Sequence, residues 1–325
     1  MGKRVILTGG TGFVGSNLAR RLLDDGHELH LLVRPGYHPW RIETILNDLQ
    51  PHEVRLADQE SLARVLKDIG PEWVFHLATH GAYPSQTDLQ QMVQTNILGT
   101  VNLVEACLET GFESFVNTGS SSEYGFKDHP PSETEPLEPN SRYGVTKASS
   151  TMFCRYRAQE TGVHLPTLRL YSVFGPYEEP SRLFPTLIRF GKEGKLPPLV
   201  DPSVARDFVY ADDVVDAYCL AASRPGSERG AVYNLGTGVS TSIRDVTEVA
   251  RRLMGIRDAP QWGSMPNRTW DTAVWVADSR KIQSELGWRP RYSFEEGFSK
   301  LVQWFDDHPT IMDFYRRNGV LNDLA

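Results

Sequence analysis

Near the N-terminus a short apolar run, Arg4 to Thr8 (RVILT), leads directly into Gly9-Gly10-Thr11-Gly12-Phe13-Val14-Gly15, and a helical pattern follows. Residues 16–25 carry apolar side chains at 18, 19, 22 and 23, one stripe of a helix, and Gly26 stops it. A buried strand, a glycine turn and a helix in that order leave little freedom. The glycines allow a tight turn, close backbone approach to an anion, and close packing of helix on strand. The helix start adds free N–H groups and the positive end of its dipole. The turn therefore reads as a cradle for the pyrophosphate of a dinucleotide. The alternative is a strand–helix turn that is merely tight.

The pattern continues downstream. Strands are expected at 28–33, 53–56, 73–78 and 115–118, with helices over 59–69 and 96–110 between them. Alternating strands and helices imply right-handed βαβ units and a parallel sheet. The expected class is α/β: a Rossmann-type doubly wound parallel sheet with a smaller C-terminal substrate-binding domain. The segments 163–173 (VHLPTLRLYSV) and 231–236 (AVYNLG) can extend the sheet. Residues 1–175 form the dinucleotide half, and parts of 206–236 and 276–325 return to it. Residues 176–325 mainly form the second domain, with helical patterns at 183–193, 211–223 and 242–254.

Charge narrows the partners. Lys plus Arg is 34 and Asp plus Glu 41 among 325 residues, a net charge of −7, which argues against nucleic acid. No apolar run has the length of a membrane span, and MGKRVILTGG does not read as a signal peptide. The 3 cysteines (Cys107, Cys154, Cys219) are far apart, which suits a reducing cytoplasm. The 9 histidines lack HExxH-type spacing, so no catalytic metal is expected.

Further motifs carry chemistry. The second strand ends in Val33-Arg34-Pro35, where an NAD site usually offers an acid to the ribose 2′-hydroxyl. Arg34, with Arg41 as a second contact, suits a 2′-phosphate instead, favouring NADP (NADPH) with NAD as the alternative. Asp58 either meets the adenine amine or serves as an acid at a helix start. Tyr143 and Lys147 in YGVTK stand one helical turn apart on one face. A neighbouring ammonium, and a cofactor bearing a nicotinamide cation, are expected to lower the phenol's pKa and make proton exchange feasible near neutrality. Residues 117–125 (NTGSSSEYG) end a strand at the carboxyl edge of the sheet, where hydroxyls can meet a substrate oxygen. For Ser121 the alternative is a serine that caps the loop.

Taken together, TGGTGFVG, HLAT (76–79), the serine loop, YGVTK and RDFVYADDVVDA (206–217) resemble the extended short-chain dehydrogenase/reductase family, of the NAD-dependent epimerase/dehydratase type, acting on nucleotide sugars. The resemblance covers essentially the whole chain. It implies Ser120, Tyr143 and Lys147 as the catalytic triad, with Lys147 also holding the nicotinamide ribose. It implies cofactor contacts at Leu77, Ala78, Thr79, Asn96 and Tyr171. Arg206 and Arg268 match arginines that contact the substrate pyrophosphate, and Arg182 and Leu183 fall where the nucleotide is held. His80, Ser121 and Ser122 are candidate sugar contacts; for His80 the alternative is a loop histidine without a substrate role. A homodimer through the helices near 97–110 and 143–160 is implied as well.

Within that family, dehydratases carry acids just after the catalytic hydroxyl. Ser121-Ser122 stand there in this chain, so the base for elimination is missing. GSSSEYG and RLYSVFGPYEEPSRLFP look most like the nucleotide-diphospho-4-keto-6-deoxyhexose reductases, the CDP-abequose and CDP-paratose synthase kind. One departure is Ser172, where many epimerases have asparagine. The reading is an NADPH-dependent 4-ketoreductase of a nucleotide-diphosphate sugar. Its rivals are a 4-epimerase that retains NAD and, remotely, a non-catalytic NADP-sensing protein on the same fold.

Overall fold

The computed structural model describes residues 2–265 and 274–319. Its first half alternates strand and helix. The elements are β1 (Arg4–Thr8), α1 (Phe13–Asp24), β2 (Glu28–Val33), β3 (Gln50–Glu53), α2 (Gln59–Ile69), β4 (Trp73–His76), α3 (Leu89–Met92), α4 (Gly99–Thr110), β5 (Ser114–Ser120), α5 (Arg142–Thr161) and β6 (Thr167–Leu170). The second half contains β7 (Ser172–Phe174), α6 (Leu183–Gly191), β8 (Ala205–Arg206), β9 (Phe208–Tyr210), α7 (Ala211–Ser223), β10 (Val232–Leu235), β11 (Thr241–Ser242), α8 (Ile243–Met254), α9 (Arg280–Leu286), α10 (Phe294–Asp307) and α11 (Pro309–Asn318).

Seven strands form one sheet in the order β10-β6-β5-β4-β1-β2-β3, and every pairing is parallel. This is the doubly wound order, with its topological switch between β1 and β4. Alternation along β1 shows how the layers form. Val5 and Leu7 pack with Leu18 and Leu22 of α1 and with Val214 and Tyr218 of α7. Ile6 points the other way, among Leu62 and Leu66 of α2, Leu103 of α4 and Cys154 of α5. A separate core of Phe174, Phe184, Phe208, Phe298 and Leu301 joins α6, β9 and α10.

Several boundaries differ from the sequence reading. The third strand lies at 50–53 rather than 53–56. The single long strand expected over 163–173 is two. β6 stays in the main sheet, while β7 pairs with β9. The helix expected from 96 begins at Leu89, and a π-helical stretch over Val93–Leu98 connects α3 to α4. No described helix is long and apolar enough to cross a membrane.

Candidate active site

Because the strands are parallel, their carboxyl ends share one edge. There the sheet gathers the glycine turn after β1, Arg34 after β2, residues 77–80 after β4, the serine loop after β5 and Tyr171 after β6.

The glycine turn is closed by Gly12 N–H donating to the Gly9 carbonyl at 2.9 Å. Gly9 has a φ of 71°, and a Cβ there would lie 2.6 Å from the Leu77 carbonyl carbon. A Cβ at Gly15 would lie 2.1 Å from the Gly9 oxygen. Gly12 caps α1 with no side chain, so the N–H groups of the first turn are left for an anion. Thr11, Phe13 and Val14 remain partly open at the same place. Leu77 and Ala78 form the opposing wall, with Ala78 N–H held by Thr8 Oγ1 at 3.1 Å. This cradle fits a pyrophosphate. Arg34 is exposed at the end of β2.

One expected cofactor contact is otherwise engaged. Arg41 is buried; its Nε donates to the Tyr177 carbonyl and its Nη2 to Glu179, both at 2.8 Å. It fastens the 177–179 loop and is not a second contact for a 2′-phosphate. Asp58 caps α2 by accepting from Ser61 N–H at 3.1 Å through Oδ1, and it is exposed at the sheet's carboxyl edge. Asn96 also departs from the expectation of direct contact. Its Oδ1 accepts from His80 N–H (2.8 Å) and Thr79 Oγ1 (3.1 Å), and its Nδ2 donates to the His80 carbonyl (2.8 Å) and Thr146 Oγ1 (2.9 Å). With its amide so used and no exposed surface, Asn96 ties the 79–80 loop to α5. It sits in the π-helical stretch, a feature frequent at functional sites.

α5 starts at Ser141, whose hydroxyl accepts from Gly144 N–H at 3.0 Å, and ends at left-handed Gly162. Tyr143 and Lys147 lie on its inner side. A Cβ at Gly144 would fall 2.5 Å from the Ser122 carbonyl, so a glycine is what lets the helix lie against the serine loop. The hydroxyl of Tyr143 faces the side chains of Ser120 and Thr79. On balance the protein's own groups raise its pKa. Burial pushes it up to about 12 and outweighs the pull of those two hydroxyls. Lys147 is almost fully buried, which lowers its pKa.

In the loop, Ser120 Oγ accepts from Ser122 N–H at 3.2 Å and Ser121 Oγ accepts from Trp275 Nε1 at 3.0 Å. Ser122 is partly exposed. His80 has a buried Nε2 with no partner, and burial lowers its pKa, so it stands neutral. The Tyr171 hydroxyl is likewise buried without a partner among the described residues. It lines a small cavity with Ser121 and Trp275. Arg206 stacks over Trp275 at 5.1 Å. Behind it, buried Asp207 accepts from Thr237 N–H, Gly238 N–H and Ala277 N–H at 2.7–3.0 Å, fixing that strand. Arg182 precedes α6, with its Nε 3.7 Å from Glu178 Oε1, and Leu183 opens the helix. Arg268 lies outside the described residues.

Sequence reasoning missed Glu123. It follows the three serines but turns inward, with no exposed surface, and pairs with Arg169 Nε at 2.8 Å. Arginine on a strand buried on both faces was the available signal, since such a charge needs a partner.

Residues 5–236 match the model of the NAD dependent epimerase/dehydratase family. The chain belongs to that family. It is 31% identical to the UDP-glucose 4-epimerase of Mycolicibacterium smegmatis, over 93% of this chain and 98% of that protein. It is 28% identical to the dTDP-glucose 4,6-dehydratase of Streptomyces griseus, over 95% of each. Among solved structures, MoeE5 in complex with UDP-glucose and NAD superposes with a TM-score of 0.79 at 32% identity, covering 93% of this chain and 98% of that one.

Proposed function

We propose that the protein is an NADPH-dependent ketoreductase acting at C4 of a nucleotide-diphosphate-linked 4-keto-6-deoxyhexose, in the cytoplasm. The observation that carries this reading is the serine loop. Its Ser120 side chain meets the Tyr143 hydroxyl and Ser122 is partly exposed, while its carboxylate, Glu123, is buried against Arg169. Such a loop can orient and polarise a carbonyl, but it has no free base for an elimination.

Ser120 hydrogen-bonds the ketone oxygen and Tyr143 donates the proton to the nascent alkoxide. A phenol whose pKa is held near 12 is fully protonated at neutral pH, which suits a donor. Lys147 supplies positive charge beside the developing anion and holds the nicotinamide ribose. A bound nicotinamide would supply the hydride. The glycine cradle takes the pyrophosphate of the cofactor, and Arg34 meets its 2′-phosphate. Arg206 and Arg268 clamp the substrate diphosphate, Arg182 and Leu183 border the nucleotide, and His80 and Ser122 meet the sugar. Residues 176–205 and 237–275 form the main part of the substrate-facing unit.

A second reading is favoured by the comparisons: a nucleotide-sugar 4-epimerase that keeps NAD, in line with the epimerase relative and the NAD-bound MoeE5 structure. Exposed Val145, Met152 and Tyr156 form an apolar stripe on α5 that supports a homodimer. The deciding experiment is a panel of 4-keto sugar nucleotides offered with NADPH and with NADH. Reduction with NADPH supports the proposal; inertness of the whole panel, with interconversion of 4-hydroxy epimers instead, transfers the assignment to the epimerase.

A further inference from the structure

Glu123 gathers donors from three directions. The Arg169 guanidinium reaches it from β6 at 2.8 Å, the Thr151 hydroxyl from α5 at 2.9 Å, and the backbone N–H of Ser120 at 2.8 Å. Thr151 lies one helical turn beyond Lys147, on the same face of α5. Arg169 also donates to the Tyr124 hydroxyl at 2.7 Å, which donates in turn to Asn234 Oδ1 on β10 at 2.8 Å. The residue that begins the serine loop is thereby bolted to the helix that carries Tyr143 and Lys147.

Charge adds a second consequence. Lys147 is 2% exposed and Arg169 3% exposed; Arg169 pairs with Glu123 directly, and Glu123 acts on Lys147 through space. The other titratable groups around Lys147 do not balance it. Burial pushes the Cys154 thiol on α5 up to about 12 and the His76 imidazole on β4 down to about 3, and both are uncharged near neutral pH. Tyr143, on the same helix, is protonated. Glu123 is the group that favours the charged form of Lys147 against its burial. An unpaired buried ammonium gives up its proton more readily than a guanidinium does.

We infer that Glu123 is a positioning residue of the reacting group: its carboxylate fixes Ser120 against α5 and serves as the shared counter-charge that keeps Lys147 an ammonium. This rests on the assignment of Ser120, Tyr143 and Lys147 proposed above. The test uses full-length protein carrying carbon-13 at lysine Cε, with the Lys147 resonance assigned by its loss in Lys147→Met. In Glu123→Gln the titration of Lys147 moves to lower pH by about 1–3 units, and in Glu123→Asp, which keeps the charge, it stays near wild type. A folded Glu123→Gln protein with an unshifted Lys147 titration overturns the inference. If that variant does not fold, Arg169→Met leaves the shared carboxylate to Lys147 and moves its titration to higher pH; an unshifted titration in a folded Arg169→Met protein overturns the inference. The signal needs no substrate, so a failure of the reductase reading appears in the substrate panel and not here.

Discussion

Replacing Gly15 by alanine adds one methyl group at the tightest backbone contact of the glycine cradle. The new Cβ would stand 2.1 Å from the Gly9 oxygen, 2.8 Å from its carbonyl carbon and 2.9 Å from Gly10 Cα. Non-bonded atoms of this kind settle at roughly 3.5 Å, and none of these neighbours is a side-chain end that can swing away. The turn and α1 must therefore part by about 1.4 Å, at an overpacking cost of about 1–3 kcal/mol. The same movement misdirects the first-turn N–H groups from the pyrophosphate. Losing one charged hydrogen bond costs about 1.5–3 kcal/mol, roughly 10- to 150-fold in affinity. NADPH binding by fluorescence titration and thermal unfolding, measured on the same preparation, check both effects. Gly194→Ala is the control for binding alone: no described atom lies within 4 Å of that position, but its φ of 73° strains an alanine, so its NADPH affinity should match wild type while its unfolding temperature falls. Gly15→Ala protein that binds NADPH as tightly as wild type would refute the cradle.

Other outcomes follow from single residues. Tyr143→Phe keeps the ring and removes the proton donor, so turnover should fall about 10²–10⁴-fold with an unchanged circular dichroism spectrum; near-normal turnover would remove Tyr143 from the mechanism. Arg34→Asp should weaken NADPH about 10- to 150-fold while sparing NADH in a binding titration, and equal loss of both cofactors would place the 2′-phosphate contact elsewhere. Glu178 is buried with an unpartnered Oε2, and burial raises its pKa to about 8, despite Arg182 nearby. Its folded-state pKa lies above the unfolded value, so the folded state binds the extra proton, and stability is lost as pH rises toward and through about 8. Glu178→Gln should accordingly unfold at a higher temperature than wild type at alkaline pH, with the gain shrinking toward about pH 5. A gain independent of pH would show that Glu178 is not the titrating group.

The parts of this molecule that could be read from sequence are those where local pattern and tertiary role agree. RVILT followed by the glycine turn is unambiguous because strand, turn and helix each have their own signal, and the two faces of β1 follow from alternation. Spacing placed Tyr143 and Lys147 on one side of α5, but not the direction in which burial moves the phenol, which depends on the depth of the cleft. Arg41 read as an anion contact because a free guanidinium near β2 suits one, whereas the fold carries it to the Tyr177 carbonyl. The run VHLPTLRLYSV gave no sign that the chain leaves the main sheet after Leu170, since both halves are apolar and strand-like. Glu123 carried no signal of its own in the sequence, because its partner Arg169 lies far along the chain and only strand pairing of β5 with β6 unites them.

The central claim is net reduction at C4, and the stoichiometry of the cofactor tests it most directly. The purified protein is incubated with a 4-keto-6-deoxyhexose nucleotide and NADPH, and NADPH oxidised is compared with 4-hydroxy product formed. A reductase consumes one NADPH for every product molecule. Formation of a C4 epimer from a 4-hydroxy sugar nucleotide with no net consumption, by protein that retains NAD, would contradict the claim.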